Sequence, residues 1–514
     1  MVKTIKQSKK KTINNNILNN LFNNDTKNTI KQHTKQHTKQ HTKQHSIPRL
    51  TNISLDLLHK IYNLDLYKDT ITSFYALNNP IITYLVKYND NESKLLIKNG
   101  PFNLELVPSY KFSTINIEDT LKTIDLTYKI NQDLLKELKL KKLPTIVQYG
   151  SEDFTRGIRS FLDSRYKHLP IKLSNGFVKL WEILHTFKLM NKTLSKNSIK
   201  VFHIAEAPGQ MILCAKYYAE RKHHNITNYE WRANSLRYGG LKDDYKLIQN
   251  NPDKWLWGAD NSGDITKVNN IKWFKKYINT KWLNQGSQLD LIIGDGGLSA
   301  DTNSAYILQK LDLAQVINVI ACSSIGGSCV IKHFTSYMIN KPETLEATSF
   351  FISFIYLYYI YFEEVNLFKP YTSDSTSGEF YIICKGFKGI ENNELEKLYT
   401  ILSKFKTNNA IIKQEHIPDT FIKQIYNFLD LLTKYNIKGY EKQNLLLKCY
   451  KLEMKNKMKH KLTRTRTQTG TQTGTHNKNS ISININDCQI LNDKNIENIL
   501  IPRYNQWIKI NEFE

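Results

Sequence analysis

Residues 201–209 read VFHIAEAPG, an apolar run that passes directly into a turn of small residues and proline. The run is typical of a buried strand, and small residues in the turn let the main chain approach a ligand closely. Pro208 restricts the turn. Open α/β sheets bind ligands beyond the carboxyl ends of their strands. The stretch therefore indicates a ligand site at a strand end, although a plain strand-to-helix turn has the same composition.

Further strand-like segments follow between residues 171 and 390, with helical segments between them. This alternation predicts an α/β fold whose largely parallel sheet of seven strands is covered on both faces. The last two strands are joined by residues 369–378, which leave no room for a crossover helix, so this pair is predicted to be antiparallel. The candidate strands are Val201–Ala205, Glu230–Ala233, Trp255–Gly258, Leu289–Gly294, Cys329–Ile331, Glu364–Phe368 and Glu379–Cys384.

The N-terminal third differs in composition from this central region. Residues 1–50 are predicted to be a disordered, basic, low-complexity tail. Its Lys-Gln-His repeats at 31–45 would place histidines at i, i+4 spacing, which suits either a metal site or a repeat in a disordered tail. Residues 51–170 predict a separate α+β subdomain with an RNA-binding role, with helical spacing at Leu55–Leu66 and a short apolar piece at Ser93–Ile97.

Residues 151–168 interleave basic side chains with aromatic rings. That pattern suits an RNA-facing helix, and it equally suits an amphipathic helix whose rings lie in the core. After the sheet, residues 391–450 predict a helical extension, 451–480 a basic and then Thr/Gly-rich linker, and 481–514 a C-terminal tail.

The charge of the 514-residue chain is concentrated in its flanks. The net charge is +25, of which residues 1–50 carry +10 and residues 451–466 carry +6. Polyanion binding explains such basic segments, and so does a solubilising, self-repelling tail.

The cysteines and apolar runs predict an intracellular protein. The six cysteines include no Cys-x-x-Cys pair and read as buried thiols in a reducing compartment. The polar N-terminus is unlike a signal peptide. The longest apolar run, Phe350–Phe362, has 13 residues, fewer than the roughly 20 that span a bilayer, so it predicts a buried helix. We expect a cytoplasmic or nuclear location, or a viral factory or virion if the chain is viral, with no membrane partner.

Four dispersed residues make chemical sense together: Lys179, Asp295, Lys332 and Glu379. Asp295 and Lys332 end apolar strands, where a lysine is unusual unless it is paired. A ribose 2′-hydroxyl must lose its proton as it is methylated, and a lysine base needs a pKa well below about 10.4. A second lysine would lower that pKa and the two carboxylates would raise it, so the sequence leaves the net direction open.

With these residues in place, the chain resembles the FtsJ-like ribose 2′-O-methyltransferases, which carry a Lys-Asp-Lys-Glu tetrad. The resemblance covers about residues 170–390 and is nearest to the cap-specific mRNA nucleoside-2′-O-methyltransferases of the cap 2 type and their relatives in large DNA viruses. It implies a Rossmann-like, S-adenosylmethionine-dependent fold. The segments that carry it are 205–209 (AEAPG), 231–236 (WRANSL), 258–266 (GADNSGDIT), 290–297, 326–334 and 368–387.

The resemblance also implies roles for single residues. Lys332 would be the general base, Lys179 and Glu379 would position it, and Asp295 would belong both to the tetrad and to the cofactor pocket. No metal is implied. The other expected cofactor contacts are Glu206, Ala207, Pro208 and Gly209 in the turn, with Pro208 and Gly209 at the methionine part, and Asn234, Asp260 and Asp264 at the ribose or adenine.

Two residues depart from the family pattern. Gln210 stands where relatives usually have Gly or Ala, and Asp374 stands where they usually have Arg or Lys. The expected function is methylation of the first transcribed nucleotides of capped mRNA, with RNA and other capping or transcription factors as partners. The alternatives are the same chemistry on rRNA or tRNA, and a non-catalytic RNA-binding subunit on this fold.

Overall fold

One mixed β-sheet organises the part of the chain that the computed structural model describes. Its strands are β1 (Ile82–Val86), β2 (Ser198–Ile204), β3 (Asn228–Asn234), β4 (Trp255–Leu256), β5 (Leu291–Gly294), β6 (Ser328–Phe334), β7 (Phe362–Lys369) and β8 (Glu379–Phe387). The described residues are 82–87, 104–110, 112, 117–140, 154–167, 169, 173–190, 197–223, 225–238, 240–282, 288–297, 305–335, 344–407, 409–468, 501 and 504–513.

The strand order is β1-β7-β8-β6-β5-β2-β3-β4. Strands β2 to β6 pair in parallel, and β8 is antiparallel to both β6 and β7. The predicted α/β sheet with its antiparallel last strand is therefore confirmed. The sequence analysis missed β1, which adds an eighth strand antiparallel to β7 at the sheet edge.

Helices cover both faces of the sheet. They are α1 (Glu118–Glu137), α2 (Phe154–Arg165), α3 (Asn175–Phe187), α4 (Gln210–Lys222), α5 (Leu247–Asn250), α6 (Val268–Lys281), α7 (Ala305–Cys322), α8 (Thr344–Tyr361), α9 (Asn392–Ser403) and α10 (Asp419–Gln468), with short 3-10 helices at Pro252–Lys254 and Gln414–His416.

Alternation along the strands divides the core into two layers. On β6, Ile331 points into the layer formed with α6 to α9, and Val330 points into the layer formed with α3, α4 and residues 504–513. Successive side chains of a strand face opposite sides of the sheet. Lys332 therefore shares the α3 side of the sheet with Val330.

The long apolar segments are core helices. The run predicted at Phe350–Phe362 is a buried helix as expected, α8, which ends at Tyr361 before β7 begins. Helix α7 is long and apolar enough to cross a membrane by length and composition alone. It carries buried polar side chains, among them Gln315 and Asn318, and its apolar residues pack in the core, so it serves as a core helix here.

The flanking regions contribute residues to the central core. Val86, Leu104 and Phe112, which belong to the region 51–170, lie in the same core layer as the central sheet. Helix α10 continues to Gln468, through the first part of the predicted linker at 451–480. Four of the cysteines, Cys214, Cys322, Cys329 and Cys384, are free and buried as predicted.

Several predictions lie outside the described residues: the tail at 1–50 with its histidine repeats, the pieces at Leu55–Leu66 and Ser93–Ile97, and the Thr/Gly-rich repeats at 469–475. Phe161 packs at a tilt against Tyr504, Tyr166 packs against Phe513, and Arg165 donates to Asn505. Both described rings of this stretch therefore pack against the C-terminal segment, as in the amphipathic alternative.

Candidate active site

A first lysine–carboxylate pair lies at the carboxyl ends of two parallel strands. Gly294 of β5 lies opposite Ile331 of β6, so the next residues of the two strands, Asp295 and Lys332, are neighbours. The Nζ atom of Lys332 donates to Asp295 Oδ1, and the two side chains are only 12% and 14% exposed. The backbone hydrogen bonds of the sheet thus set this pair.

A second pair joins a helix to the antiparallel strand. Lys179 of α3 donates from Nζ to Oε1 of Glu379, the first residue of β8, at 2.6 Å. The Ser174 hydroxyl caps α3 by accepting from a main-chain N–H of its first turn. Glu379 lies opposite Phe334, two residues beyond Lys332 on β6, which puts both side chains on one face of the sheet. The structure therefore brings all four predicted residues together.

Charge, and not burial, decides the ionisation of this site. Burial lowers the pKa of Lys332, but Asp295 and Glu379 outweigh it, so the pKa of Lys332 is raised above its usual range. Burial raises the pKa of Glu379, but Lys179 and the neighbouring lysines outweigh it and lower that pKa to about 2. At neutral pH the protein alone therefore holds a protonated Lys332 and an ionised Glu379, which settles the direction that the sequence left open.

A third, buried lysine holds the main chain of Glu379, a member of the second pair. Lys369, the last residue of β7, has no exposed surface. Its Nζ donates to the carbonyls of Ser377 at 2.7 Å and Glu379 at 2.9 Å. The Ser373 hydroxyl donates to Glu379 Oε1 at 3.0 Å. The sequence analysis gave Lys369 no role, although it shows the same signal as Lys332, a lysine that ends an apolar strand.

A buried carboxylate ties α3 to two distant segments. Glu182, one turn beyond Lys179, accepts from the main-chain N–H groups of Tyr371 at 2.6 Å and Thr372 at 3.2 Å. It also accepts from the indole N–H of Trp507 at 3.2 Å. Glu182 thereby fixes both the β7–β8 loop and the C-terminal segment against the helix that carries Lys179. A carboxylate on the apolar face of α3 was a readable signal, but nothing near Trp507 in the sequence pointed to this contact.

The predicted cofactor turn lies beside the first pair. Gly209 has a φ of 104°, in the left-handed region, and begins α4. A side chain there would also meet Leu247 at 2.2 Å. The buried carboxylate of Glu206 caps α4 by accepting from Met211 N at 2.7 Å and Ile212 N at 3.4 Å. Glu206 therefore shapes the turn from within.

The rest of the turn is joined to the end of β3. The main-chain N–H of Ala207 donates to the Ser235 hydroxyl at 3.3 Å, and the Ala207–Pro208 peptide bond is cis. Glu206 N donates to the carbonyl of Asn234 at 2.9 Å. These bonds fix the turn beside the residues that follow β3.

The remaining predicted contacts line the loops after β3 and β4. Asn234 is fully buried and donates to the carbonyls of Leu256 and Gly263, while its Oδ1 has no hydrogen-bond partner among the described residues. Asp260 is exposed, and a hydrogen bond from Lys267 at 2.7 Å is the largest cause of its lowered pKa. Asp264 accepts from Thr266 N at 2.9 Å. Asp260 and Asp264 thus also organise their own loop.

This edge fits S-adenosylmethionine by its acceptor groups. The ribose hydroxyls and adenine amino group of that cofactor are donors, and buried donors need acceptors. The edge offers the partly exposed carboxylates of Asp264 and Asp295, while the fully buried Asn234 shapes the loops around them.

The two departures from the family pattern have structural explanations. The Gln210 side chain lies over Gly176 and donates to Asp295 Oδ2 at 3.2 Å, so it holds the other oxygen of the first pair's carboxylate. Asp374 accepts from Thr376 N at 2.7 Å and from the Thr376 hydroxyl at 2.8 Å, which fixes the β7–β8 loop.

The region that carries this site matches known proteins in sequence. Residues 173–387 match the family described as FtsJ-like methyltransferase. The chain is 32% identical over 292 residues to an uncharacterized protein of Acanthamoeba polyphaga mimivirus, which covers 55% of this chain and 35% of the relative. It is 26% identical over 294 residues to the cap-specific mRNA (nucleoside-2′-O-)-methyltransferase 2 of Pongo abelii, covering 54% and 36%.

A probable methyltransferase of African swine fever virus is 28% identical over 277 residues, covering 49% of this chain and 60% of the relative. The chain thus spans about a third of the length of the first two relatives and about three fifths of the viral methyltransferase.

Proposed function

Since residues 173–387 belong to the FtsJ-like methyltransferase family, we propose that the protein transfers a methyl group from S-adenosylmethionine to a ribose 2′-hydroxyl of RNA. The observation that carries the proposal is the pairing of Lys332 with Asp295 and of Lys179 with Glu379 at one sheet edge, beside the Ala205–Gly209 turn. The preferred substrate is the start of a capped mRNA. Similarity to proteins named as cap-specific mRNA methyltransferases supports that choice.

In this mechanism Lys332 accepts the proton of the 2′-hydroxyl as the oxygen gains its methyl group. The cofactor supplies the methyl group and a positive charge on sulfur, and like charges lower the pKa of a neighbouring ammonium. Lys332 begins protonated, because Asp295 and Glu379 raise its pKa. It must therefore release its proton to solvent before each turnover, and the positive charge of a bound cofactor would favour that release.

In the proposed mechanism Asp295, Lys179 and Glu379 hold the base, Lys332, in position. Asp295 holds the Lys332 ammonium from one side, and its other oxygen is held by Gln210. Glu379 stays ionised with its pKa near 2 and balances Lys179. A fixed base and a fixed hydroxyl reduce the entropy cost of aligning oxygen, methyl and sulfur.

The test is methyl transfer from labelled S-adenosylmethionine to matched capped and uncapped transcripts, with the modified nucleotide located by mass spectrometry. We expect a 2′-O-methyl group within the first nucleotides of the capped RNA, and no transfer by Lys332→Ala at unchanged thermal stability. Full activity of Lys332→Ala would refute the assignment of the base. Equal transfer to uncapped rRNA or tRNA would replace the substrate, and RNA binding without cofactor binding by calorimetry would replace the enzyme with a binding subunit.

Basic flanks add a testable term to RNA affinity. Residues 1–50 carry a net charge of +10, and phosphate neutralisation by lysines gives affinity that falls with salt. Deleting residues 1–46 should weaken RNA binding at low salt more than it lowers turnover at saturating RNA. Unchanged affinity of the deletion at low salt would assign the tail another role.

A further inference from the structure

Lys369 is a buried cation that the proposed mechanism does not use. Its Nζ lies between the carbonyls of Ser377 and Glu379 and 5.9 Å from the centre of the Tyr435 ring of α10. Resting on the proposed function, we propose that Lys369 is a positioning residue for methyl transfer. It holds the main chain of Glu379, so that the Glu379 carboxylate meets Lys179, and its charge keeps that carboxylate ionised.

The contacts of Lys369 fix the main chain at the end of the β7–β8 loop. Residues 370–378 form a loop between two antiparallel strands, and Glu379 follows that loop directly. Buried donors hold the main chain at the end of this loop: Lys369 donates to the carbonyls of Ser377 and Glu379, and Asn436 of α10 donates to Ser377 O at 2.9 Å. Lys369 contacts the main-chain carbonyl of Glu379 itself, so it fixes the position from which the Glu379 side chain extends.

The positive charge of Lys369 acts on the Glu379 carboxylate. Burying an ammonium is costly, and a neutral amide could satisfy carbonyl groups without that cost. The charged and titratable groups that face Lys369 are Glu379 and Asp374 on the loop side, Lys179 from α3 and Tyr435 from α10. Burial lowers the pKa of Lys369 to about 8. It is therefore still mainly cationic at neutral pH, and that charge favours the ionised form of Glu379.

The burial of Lys369 excludes direct contact with the substrate. Lys369 has no exposed surface, whereas Lys332 and Lys179 each keep 12% of their side chains exposed. RNA cannot touch Lys369 in this structure. Any effect of changing it must pass through Glu379 and Ser377, which predicts a loss in kcat and not in RNA affinity.

The experiment compares Lys369→Met with the matched control Lys385→Met in the full chain. Lys385 lies on the same hairpin, in an ion pair with Glu364 at 2.8 Å, and has no contact with the tetrad in the described residues. We expect Lys369→Met to lower kcat at least about tenfold with KM for capped RNA within about twofold, while Lys385→Met keeps both.

The pH profile supplies a readout that a merely structural role would not move. Loss of a neighbouring cation raises the pKa of a carboxylate. It likewise raises the pKa of a neighbouring ammonium, and deprotonation of Lys332 sets the acid limb of kcat in the proposed mechanism. That limb should therefore move to higher pH in Lys369→Met and return toward the wild-type position in Lys369→Arg, which keeps the charge. If Lys369→Met is less stable but keeps the wild-type kcat and acid limb per folded molecule, the proposal is wrong.

A double-mutant cycle with Glu379→Gln keeps this test apart from the proposed function. Unfolding of the wild type, both single variants and the double variant is measured by urea titration at neutral pH, without substrate. The proposal expects non-additive effects, because the charge of Lys369 acts on that of Glu379. Additive effects would overturn it. A wild-type protein that methylates no RNA would refute the proposed function, while the cycle still decides the Lys369–Glu379 coupling.

Discussion

The two lysine–carboxylate pairs of the site are held in different ways. Lys332 and Asp295 are 37 residues apart and lie at adjacent ends of parallel strands, where the sheet itself brings them together. Lys179 and Glu379 are 200 residues apart and join a helix to a strand that follows a loop. The first pair is thus a product of strand register, and the second is a product of tertiary packing.

The supports of the second pair reach beyond the family-matched region. Glu182, one turn beyond Lys179 on α3, accepts from the indole N–H of Trp507. Asn436 of α10 donates to the carbonyl of Ser377. Both Trp507 and Asn436 lie C-terminal to residues 173–387. The C-terminal extensions are therefore part of the structure that positions the second pair, so this pair should be the easier of the two to disturb from a distance.

Breaking the second pair directly should give the largest effect. Glu379→Gln removes the charge that faces Lys179 and Lys332, and we expect kcat to fall about a hundredfold or more, about 2.7 kcal/mol in the barrier. The loss should appear in single-turnover methyl transfer at saturating capped RNA. Glu364→Gln, in the Lys385 pair of the same hairpin, should keep its kcat. Equal losses in the two variants would show that the hairpin and not the pair matters.

The stability that Glu379 contributes to the wild type, measured against the same variant, should depend on pH. The pKa of Glu379 is lowered from 4.5 to about 2, so its ionised form contributes about 3 kcal/mol to folding. Because the folded-state pKa is the lower one, this contribution is complete above pH 4.5 and is lost as the pH falls toward 2. Urea unfolding should show the wild type more stable than Glu379→Gln at pH 6, with the difference shrinking below pH 4.5. A difference independent of pH would contradict the pairing.

The supports of the second pair also mark the limit of what sequence could predict. The α/β sheet, the antiparallel last strand and the proximity of Asp295 to Lys332 follow from apolar runs and strand ends, which are local. Strand β1 was missed because only its pairing with β7 defines it. The contact of Trp507 with Glu182 spans 325 residues and leaves no local pattern.

The ionisation of Lys332 was also beyond the sequence. Burial, a second lysine and two carboxylates act on its pKa in opposite directions, so distances decide the sign. The direct contact with Asp295 makes the carboxylates dominant. Lys369 shows the same strand-end pattern but has a lowered pKa, because burial outweighs the attraction of Glu379 and Asp374 there, and its Nζ contacts carbonyls and not a carboxylate oxygen.

Loosening a support should cost less than breaking the pair. In Glu182→Gln an amide N–H₂ replaces one of the oxygens that accept from Tyr371, Thr372 and Trp507. We expect a loss of about 1–3 kcal/mol in unfolding free energy and about a tenfold lower kcat. The measurements are urea unfolding and methyl transfer on the same preparation.

Glu230→Gln is the matched control for that change. Glu230 accepts from the indole N–H of Trp282 at 3.2 Å, the same kind of bond, but near the amino end of β3. It should lose stability and keep its kcat. If both variants lose stability equally and neither loses kcat, Glu182 supports the fold and not the second pair.

A change on the side of the first pair should alter cofactor binding and spare the second pair. Gly209→Ala forces a side chain into a φ of 104° and against Leu247 at 2.2 Å. We expect KM for S-adenosylmethionine to rise about fivefold, with the acid limb of kcat unchanged, since the groups that set the pKa of Lys332 are not disturbed. Gly326→Ala has similar strain, at φ 79°, but no neighbour within 4 Å, and should leave that KM unchanged. A rise in KM for both variants would assign the effect to general strain.

The smallest expected effect comes from the charge of the loop that carries the second pair. Asp374→Asn keeps an oxygen that accepts from Thr376 N and the Thr376 hydroxyl, so the loop should keep its shape while losing one negative charge. Less repulsion of phosphate should raise RNA affinity about twofold at low salt, with the gain vanishing at high salt. Asp119→Asn, at the exposed start of α1, removes the same charge elsewhere and should leave affinity unchanged. An equal gain from both variants would mean that net charge alone, and not the position of this loop beside Glu379, governs RNA binding.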